Sequence, residues 1–158
     1  MAETPVGVYC DGACLGNPGP GGWAALLVAN TPSGPREKML SGATADTTNN
    51  RMELQAAIEG LSALTKSCHV HVVTDSDYVV KGMTTWIKQW QANGWRGTNR
   101  KPVKNQDLWE LLEEAAARHV VTWEWVRGHS GHAYNERVDQ QARDAATAIK
   151  MELHRAGR

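Results

Sequence analysis

The stretch PVGVYCDGACLGNPGPGGWAALLVAN, residues 5–30, decides how the chain begins to fold. Its first part, PVGVYCD (5–11), is rich in the β-branched and aromatic residues that are typical of strands. The cluster GACLGNPGPGG follows, and its Gly, Pro and Asn residues predict a turn that neither a helix nor a central strand would tolerate. WAALLVAN (23–30) then predicts a second strand, which would run antiparallel to the first.

The rest of the chain extends this hairpin into an α/β domain. A third strand at 36–44 would complete an antiparallel meander, and a helix predicted at 76–91 is expected to break near Gly82. The order βββαβααβα predicts a mixed five-stranded sheet, with three antiparallel strands, then parallel crossovers, and helices on both faces. We expect one domain over residues 1–158, ending in a short flexible C-terminal tail. The remaining elements are expected at 48–65 (helix), 69–75 (strand), 106–119 (helix), 120–128 (strand) and 135–153 (helix).

Composition limits the cellular setting. The chain has no apolar run long enough to cross a membrane and no basic, apolar leader, so we expect neither membrane insertion nor export. Its three cysteines are an odd and sparse set, which favours reduced thiols in a cytoplasmic protein. The 17 basic and 17 acidic residues cancel, so net charge gives no argument for nucleic acid.

Local charge does give such an argument. No Asp or Glu occurs from Tyr78 to Gln106, although six Lys and Arg residues and three Trp residues fall there. A solvated helix face with core aromatics is the simpler interpretation. Cations interleaved with aromatic rings also suit nucleic acid, because phosphate contacts release counterions.

Four carboxylates are expected to meet. Glu53 lies on or beside the apolar stripe of the helix TTNNRMELQAAIEGLSAL, where an unpaired acid is unfavourable. Asp11 and Asp75 close two strands that would be parallel neighbours, and Asp139 lies early in the last helix. Each acid alone could be a helix N-terminal charge or an ion-pair partner. Together they predict a hard divalent cation, Mg²⁺ or Mn²⁺, held by oxygen ligands.

Two metal chemistries compete at this point. Paired divalent ions held by carboxylates commonly cut or make phosphodiester bonds. The sequence HSGH, with His129 and His132, suggests zinc instead, but no Cys or further His lies at ligand spacing.

Five motifs resemble a known family, and they cover roughly residues 5–147. They are CDGACLGNPGPGGW, TTNNRMELQAA, VVTDSDYV, KPVKNQDLW and WEWVRGHSGHAYNERVDQQAR. Their order and spacing resemble ribonuclease H type 1 of the bacterial single-domain kind. The resemblance implies a monomeric, Mg²⁺-dependent endonuclease that cleaves the RNA strand of RNA–DNA hybrids and leaves 3′-hydroxyl and 5′-phosphate ends. Mn²⁺ would be a substitute ion, and replication proteins would be further partners.

The same resemblance implies site residues. Asp11, Glu53, Asp75 and Asp139 would bind metal, and His129 would assist proton transfer or product release. A basic protrusion at about 81–104 would line the path of the DNA strand. The implied substrate contacts are Cys14, Asn17, Asn49 and Asn50 on the RNA strand, Thr48 and Asn105 on a DNA phosphate, and Trp86 and Lys88 in the protrusion.

Three departures from the family pattern bear on affinity. The protrusion tip reads QANG where basic residues are usual, Asp46 lies near the expected phosphate contact, and Asp77 follows TDS. A DNA-directed nuclease of the same fold and a non-catalytic hybrid-binding module are the alternatives. The first has no need of groups that read the 2′-hydroxyl. The second would be expected to have lost an acid.

Overall fold

The protein folds around one mixed five-stranded sheet. A computed structural model describes residues 5–97, 101–127 and 132–156. The strands are β1 (Val6–Cys14), β2 (Gly19–Thr31), β3 (Gly34–Thr47), β4 (His69–Thr74) and β5 (Val120–Trp125). The helices are α1 (Asn49–Ser62), α2 (Asp77–Lys81), α3 (Ile87–Ala92), α4 (Gln106–Ala117) and α5 (Ala133–Ala156). Helix α2 leads through a π-helical segment, Gly82–Trp86, into α3.

The sheet topology confirms the predicted fold class. The strand order is β3-β2-β1-β4-β5, with β1–β2 and β2–β3 antiparallel and β1–β4 and β4–β5 parallel. Helices cover both faces of the sheet, and each face forms its own apolar cluster with them. One cluster joins the sheet to α1 and α4, with Trp109 and Leu54 fully buried. The other joins it to α5 through Leu26, Val138 and Ala142.

The glycine-rich cluster was wrongly read as a turn over its whole length. Strand β1 lies at the centre of the sheet and continues to Cys14, and β2 begins at Gly19. A Cβ atom at Gly12 would lie 2.5 Å from the backbone nitrogen of Glu53. One at Gly22 would lie 2.3 Å from the carbonyl oxygen of Ala142. These glycines therefore let α1 and α5 approach the sheet rather than reverse the chain.

Two helix predictions can be compared with the structure. The expected break near Gly82 is confirmed, because α2 gives way there to the π-helical segment. The last helix begins two residues earlier and ends three residues later than predicted, so 154–156 of the expected tail are helical. Its exposed last turns contact little else, and the periodic pattern therefore fades before the helix ends.

Thiols and helix lengths add two facts about the described residues. Cys10, Cys14 and Cys68 are all free. Within the described ranges, no helix combines the length and the apolar character that a membrane crossing needs.

Candidate active site

Three of the four predicted acids come together at one edge of the sheet. Asp11 lies near the end of β1 and Asp75 directly follows β4, and these strands are parallel neighbours with Cys10 paired to Thr74. Glu53 projects from the first turns of α1. One carboxylate oxygen from each of Asp11, Glu53 and Asp75 lies within 4.8 Å of the others. The close approach at Gly12 is what sets Glu53 beside Asp11.

Asp139 adjoins this group, and a hydrogen bond between its carboxyl group and that of Asp11 is among the interactions that raise the pKa of Asp11. It lines the same open cavity of about 360 Å³ as the other three acids. Its carboxylate accepts a hydrogen bond from Arg143, one turn later in α5, and its side chain is 17% exposed. Arg143 therefore offsets part of the negative charge of Asp139, which lines the cavity. The role of Asp139 as a metal ligand stays a prediction.

Burial and mutual repulsion make the acidic group unfavourable when it is fully charged. Burial, followed by repulsion from Asp75, raises the pKa of Asp11 to about 9. Burial also raises the pKa of Glu53 to about 7, with Asp75 adding to it and hydrogen bonds from Ser76 and Asn49 opposing it. Three acids in this state need a positive charge to be ionised together. Their all-oxygen donor set fits a hard divalent cation.

Two of the four predicted RNA contacts, Asn49 and Asn50, line this cavity. The Asn49 side-chain amide donates to Glu53 Oε1 at 2.7 Å, while the Asn49 backbone N–H donates to Asn17 Oδ1 at 3.1 Å. The Cys14 thiol donates to the carbonyl oxygen of Gly16 at 2.7 Å, on the same side of the turn. Asn50 lines the cavity and is exposed. One helix start thus carries a metal-site acid and part of the surface predicted to read RNA.

A second polar group surrounds the predicted phosphate contact. The Thr48 hydroxyl caps α1 by accepting from the Arg51 backbone N–H at 3.3 Å. Arg51 Nη1 donates to Asn105 Oδ1 at 3.2 Å, and Asn105 Nδ2 donates to the Tyr78 hydroxyl at 3.2 Å. Arg51 also binds both carboxylate oxygens of Asp107, at 3.0 and 2.7 Å. This ion pair holds the pKa of Asp107 below its usual value.

Arg51 and Tyr78 are the residues that sequence reasoning missed. Arg51 follows Thr48 by three positions, which places both on one side of the helix start. That spacing was the available signal for Arg51. No local signal existed for Tyr78, whose link to Asn105 joins residues 27 positions apart.

The basic protrusion contains the larger cavity, of about 660 Å³. Trp86 and Trp90 line it with their ring centroids 5.9 Å apart, and Arg96, Lys101 and Lys104 supply its cations. Lys88, which was predicted to contact substrate, is exposed on α3 but is not among the residues that line this cavity. Tyr78 lines the acidic cavity and Trp86 lines the basic one, and the centroids of their rings lie 5.9 Å apart.

The remaining predictions concern histidines and extra acids. His129 lies outside the described residues, and His132 is exposed. Among the residues that the structure describes, Asp11, Glu53 and Asp75 form the only His, Cys, Asp or Glu group close enough for a metal. Because His129 lies outside those residues, the zinc alternative at HSGH stays a prediction that the structure does not test. Asp46 is exposed on β3. Asp77 forms an ion pair with Lys81 at 2.8 Å, so a cation offsets its charge.

Comparison with known proteins gives consistent matches. A family model described as RNase H matches residues 3–147. A protein named Ribonuclease H from Paramagnetospirillum magneticum is 54% identical over 155 residues, covering 95% of this chain and 98% of its own. A crystal structure of LC9-RNase H1, described as a type 1 RNase H with the type 2 active-site motif, superposes with a TM-score of 0.85. It is 36% identical, and the match covers 94% of this chain and 75% of that one. LC11-RNase H1, solved in complex with RNA/DNA hybrid, shares the fold with a TM-score of 0.65 and 20% identity, over 90% of this chain and 97% of that one.

Proposed function

The chain belongs to the ribonuclease H family, and from this premise we propose that its acidic cavity cleaves the RNA strand of RNA–DNA hybrids. The observation that carries the proposal is the convergence of Asp11, Glu53 and Asp75 on a cavity bordered by Asn49 and Asn50. In this hydrolysis the water oxygen bonds to phosphorus while the bond from phosphorus to the 3′-oxygen breaks. A proton passes to that oxygen, and the products carry a 3′-hydroxyl and a 5′-phosphate.

Divalent metal dependence is general for this family, and the acidic group fits it. We propose Mg²⁺ as the ion, with Mn²⁺ as a substitute, held by Asp11, Glu53, Asp75 and Asp139. When bound, such ions lower the pKa of water and stabilise the leaving oxygen. The chain holds the ligands in place, since Asn49 fixes Glu53 and the strand ends fix Asp11 and Asp75. For His129 we propose movement of protons, because an unperturbed imidazole titrates near neutrality.

Substrate selection is proposed to use two surfaces. Asn49 and Asn50 line the acidic cavity, and Asn17 is held beside them by its hydrogen bond with the Asn49 backbone. The amide groups of these residues, with Cys14, suit a 2′-hydroxyl. Thr48, Arg51 and Asn105 would hold a phosphate of the DNA strand. Arg51 supports this role, because Asp107 and Asn105 take three of its five N–H donors and the described residues offer no acceptor for the rest. Trp86 and Lys88 would extend the contact along the protrusion.

The test is a cleavage assay with matched nucleic acids. The protein is incubated with Mg²⁺ and a labelled RNA–DNA hybrid, single-stranded RNA, double-stranded RNA, DNA duplex or branched DNA. We expect cleavage of the hybrid RNA strand alone. Asp11→Asn should abolish cleavage and keep hybrid binding, and Asp144→Asn, the same change on an exposed part of α5, should leave cleavage intact.

The other outcomes would overturn the proposal in different ways. Preferential cleavage of branched DNA would indicate a DNA-directed nuclease of the same fold. Binding without turnover in either Mg²⁺ or Mn²⁺ would indicate a hybrid-binding module. Activity that survives Asp11→Asn would contradict the metal assignment alone.

Assembly and location are further proposals. We propose a monomer over residues 1–158 that acts in the cytoplasm, and three free thiols support a reducing compartment. Sedimentation at several concentrations tests the monomer. Contact with replication proteins stays a prediction that rests on the family resemblance.

A further inference from the structure

Tyr78 occupies a position that no part of the proposed mechanism uses. It lies in α2, directly beyond Asp75 and Ser76, and lines the acidic cavity. Its hydroxyl oxygen accepts two hydrogen bonds, from Asn105 Nδ2 at 3.2 Å and from Trp109 Nε1 at 3.1 Å. Its ring packs against Trp86 and Trp109, with centroid distances of 5.9 and 5.1 Å. The side chain therefore joins the acidic cavity, the protrusion and the phosphate contact.

The Trp109 end of this link is rigid. Trp109 is fully buried and is the largest fully buried side chain among the described residues. Its indole N–H is a donor only, so the Tyr78 oxygen must act as the acceptor. Tyr78 is thereby held by the core and is not free to follow a ligand.

The Asn105 end is unusual for its position. Asn105 precedes α4 as its N-cap, yet its side chain makes no capping hydrogen bond. An Asn at an N-cap ordinarily accepts from the first turn of its own helix. Here the amide instead joins Arg51 to Tyr78, and the backbone lies at φ 62°, in the left-handed region that asparagine adopts more readily than most side chains. The side chain is thus used for this link and not for capping its own helix.

The two partners together determine which way the amide points. Arg51 is a donor and selects Oδ1, so Nδ2 must face Tyr78. Tyr78 takes one Nδ2 proton, and the second remains for a ligand. Without the Tyr78 hydroxyl, only the contact with Arg51 would restrain the amide.

We propose that Tyr78 is a positioning residue for substrate binding, whose hydroxyl orients the Asn105 amide toward a phosphate of the DNA strand. This inference rests on the proposed function, because it assigns a partner to the phosphate contact of that same site. Tyr78 acts through Asn105 and takes no part in the bond-breaking step.

The first experiment measures hybrid affinity. Binding is followed by fluorescence anisotropy in the Asp11→Asn background, so that cleavage does not interfere. We expect Tyr78→Phe to weaken binding about three- to tenfold, in keeping with a weakened charge-assisted hydrogen bond. The matched control is Tyr9→Phe, since the Tyr9 hydroxyl forms no hydrogen bond with any described residue. It should bind like the background protein.

The second experiment separates positioning from loss of stability. Removing the hydroxyl also leaves the Trp109 N–H without an acceptor, so a lower Tm is expected and decides nothing. If Tyr78 acts through Asn105, the double variant Tyr78→Phe/Asn105→Ala binds no more weakly than Asn105→Ala. The inference would be overturned if the affinity losses of the two single variants multiplied in the double variant. It would also be overturned if Tyr78→Phe bound the hybrid as tightly as the Asp11→Asn background protein.

A third measurement identifies the ligand group. A set of hybrids carries one uncharged methylphosphonate linkage at successive positions of the DNA strand. The background protein should lose affinity at one linkage, and Tyr78→Phe should lose less affinity at that linkage, because Thr48 and Arg51 remain while the Asn105 amide is no longer oriented. An equal loss at every linkage for both proteins would contradict a phosphate role. Failure of the wild-type protein to cleave any hybrid would instead overturn the proposed function, so the two failures are distinguishable.

Discussion

Asp11 and Glu53 bring ionisable carboxylates into a largely buried setting, where they are 6% and 8% exposed. In the metal-free protein the pKa of Asp11 is raised to about 9 and that of Glu53 to about 7. Both values lie above those of the unfolded chain, roughly 4. The folded state then binds more protons than the unfolded state, and its stability is lost as the pH rises through the folded pKa values.

Asp11→Asn should therefore stabilise the metal-free protein. At pH 8 the native Asp11 must take up a proton on folding, because its pKa is about 9 in the folded protein and roughly 4 in the unfolded chain, and an asparagine of the same shape has no such requirement. We expect the free energy of unfolding at pH 8 to rise by about 1–3 kcal/mol, and the gain to shrink toward pH 5, because proton uptake on folding costs less as the pH approaches the pKa of the unfolded side chain. Urea denaturation in a chelating buffer at both pH values measures this. Asp144→Asn is the matched control, and an unchanged or lower stability of Asp11→Asn at pH 8 would contradict the electrostatic account.

Asp77 and Lys81 give a second prediction at the residue scale. Their ion pair, at 2.8 Å, offsets a negative charge that borders the acidic cavity. Lys81→Gln should weaken hybrid binding about two- to fourfold, because the exposed Asp77 carboxylate then repels phosphate. Asp77→Asn should bind at least as tightly as the wild type. The loss of affinity should fade at high salt, because salt screens the repulsion. If Lys81→Gln still weakened hybrid binding in the Asp77→Asn background, Lys81 would instead contact the hybrid directly.

The elements show what sequence patterns can and cannot reveal. The antiparallel meander and the parallel crossovers were predictable, because apolar alternation and turn residues mark the strands and a helix between two strands indicates a parallel crossover. The glycine-rich cluster was misread, since a glycine that admits a neighbouring helix looks the same in sequence as one that turns the chain. Glu53 was found because an acid on an apolar stripe is conspicuous. The ion pair of Arg51 with Asp107 joins residues 56 positions apart, and no local pattern announces it.

Gly82, where α2 gives way to the π-helical segment, packs closely against Trp109. A Cβ atom there would lie 1.9 Å from Cη2 of the fully buried Trp109. Gly82→Ala should lower the free energy of unfolding by about 1–3 kcal/mol, as is usual for overpacking. Gly97→Ala is the control, because its nearest atom would be 3.6 Å away, an ordinary contact. Chemical denaturation measures the free energy of unfolding of each variant. Equal values for the two variants would contradict close packing at Gly82.

At the scale of the whole molecule, a net charge of zero conceals a separation of charge. Three acids meet in one cavity, and the larger cavity of the protrusion presents Arg96, Lys101 and Lys104. Hybrid binding would then combine two independent contributions, one from each surface. The basic surface would attract any nucleic-acid backbone, and the asparagines near the acids would select RNA.

Variants of the two surfaces should therefore fail in different ways. Lys101→Gln/Lys104→Gln should weaken binding to the RNA–DNA hybrid and to DNA duplex by similar factors. It should also lower the slope of log affinity against log salt by about 0.7–0.9 for each phosphate that the variant no longer neutralises. Asn50→Ala should leave that slope unchanged and reduce the preference for hybrid over DNA, because it removes an uncharged group. Anisotropy titrations at several salt concentrations measure both quantities. A hybrid-specific loss in the lysine variant would show that the protrusion also reads the RNA strand, and the separation of roles would be wrong.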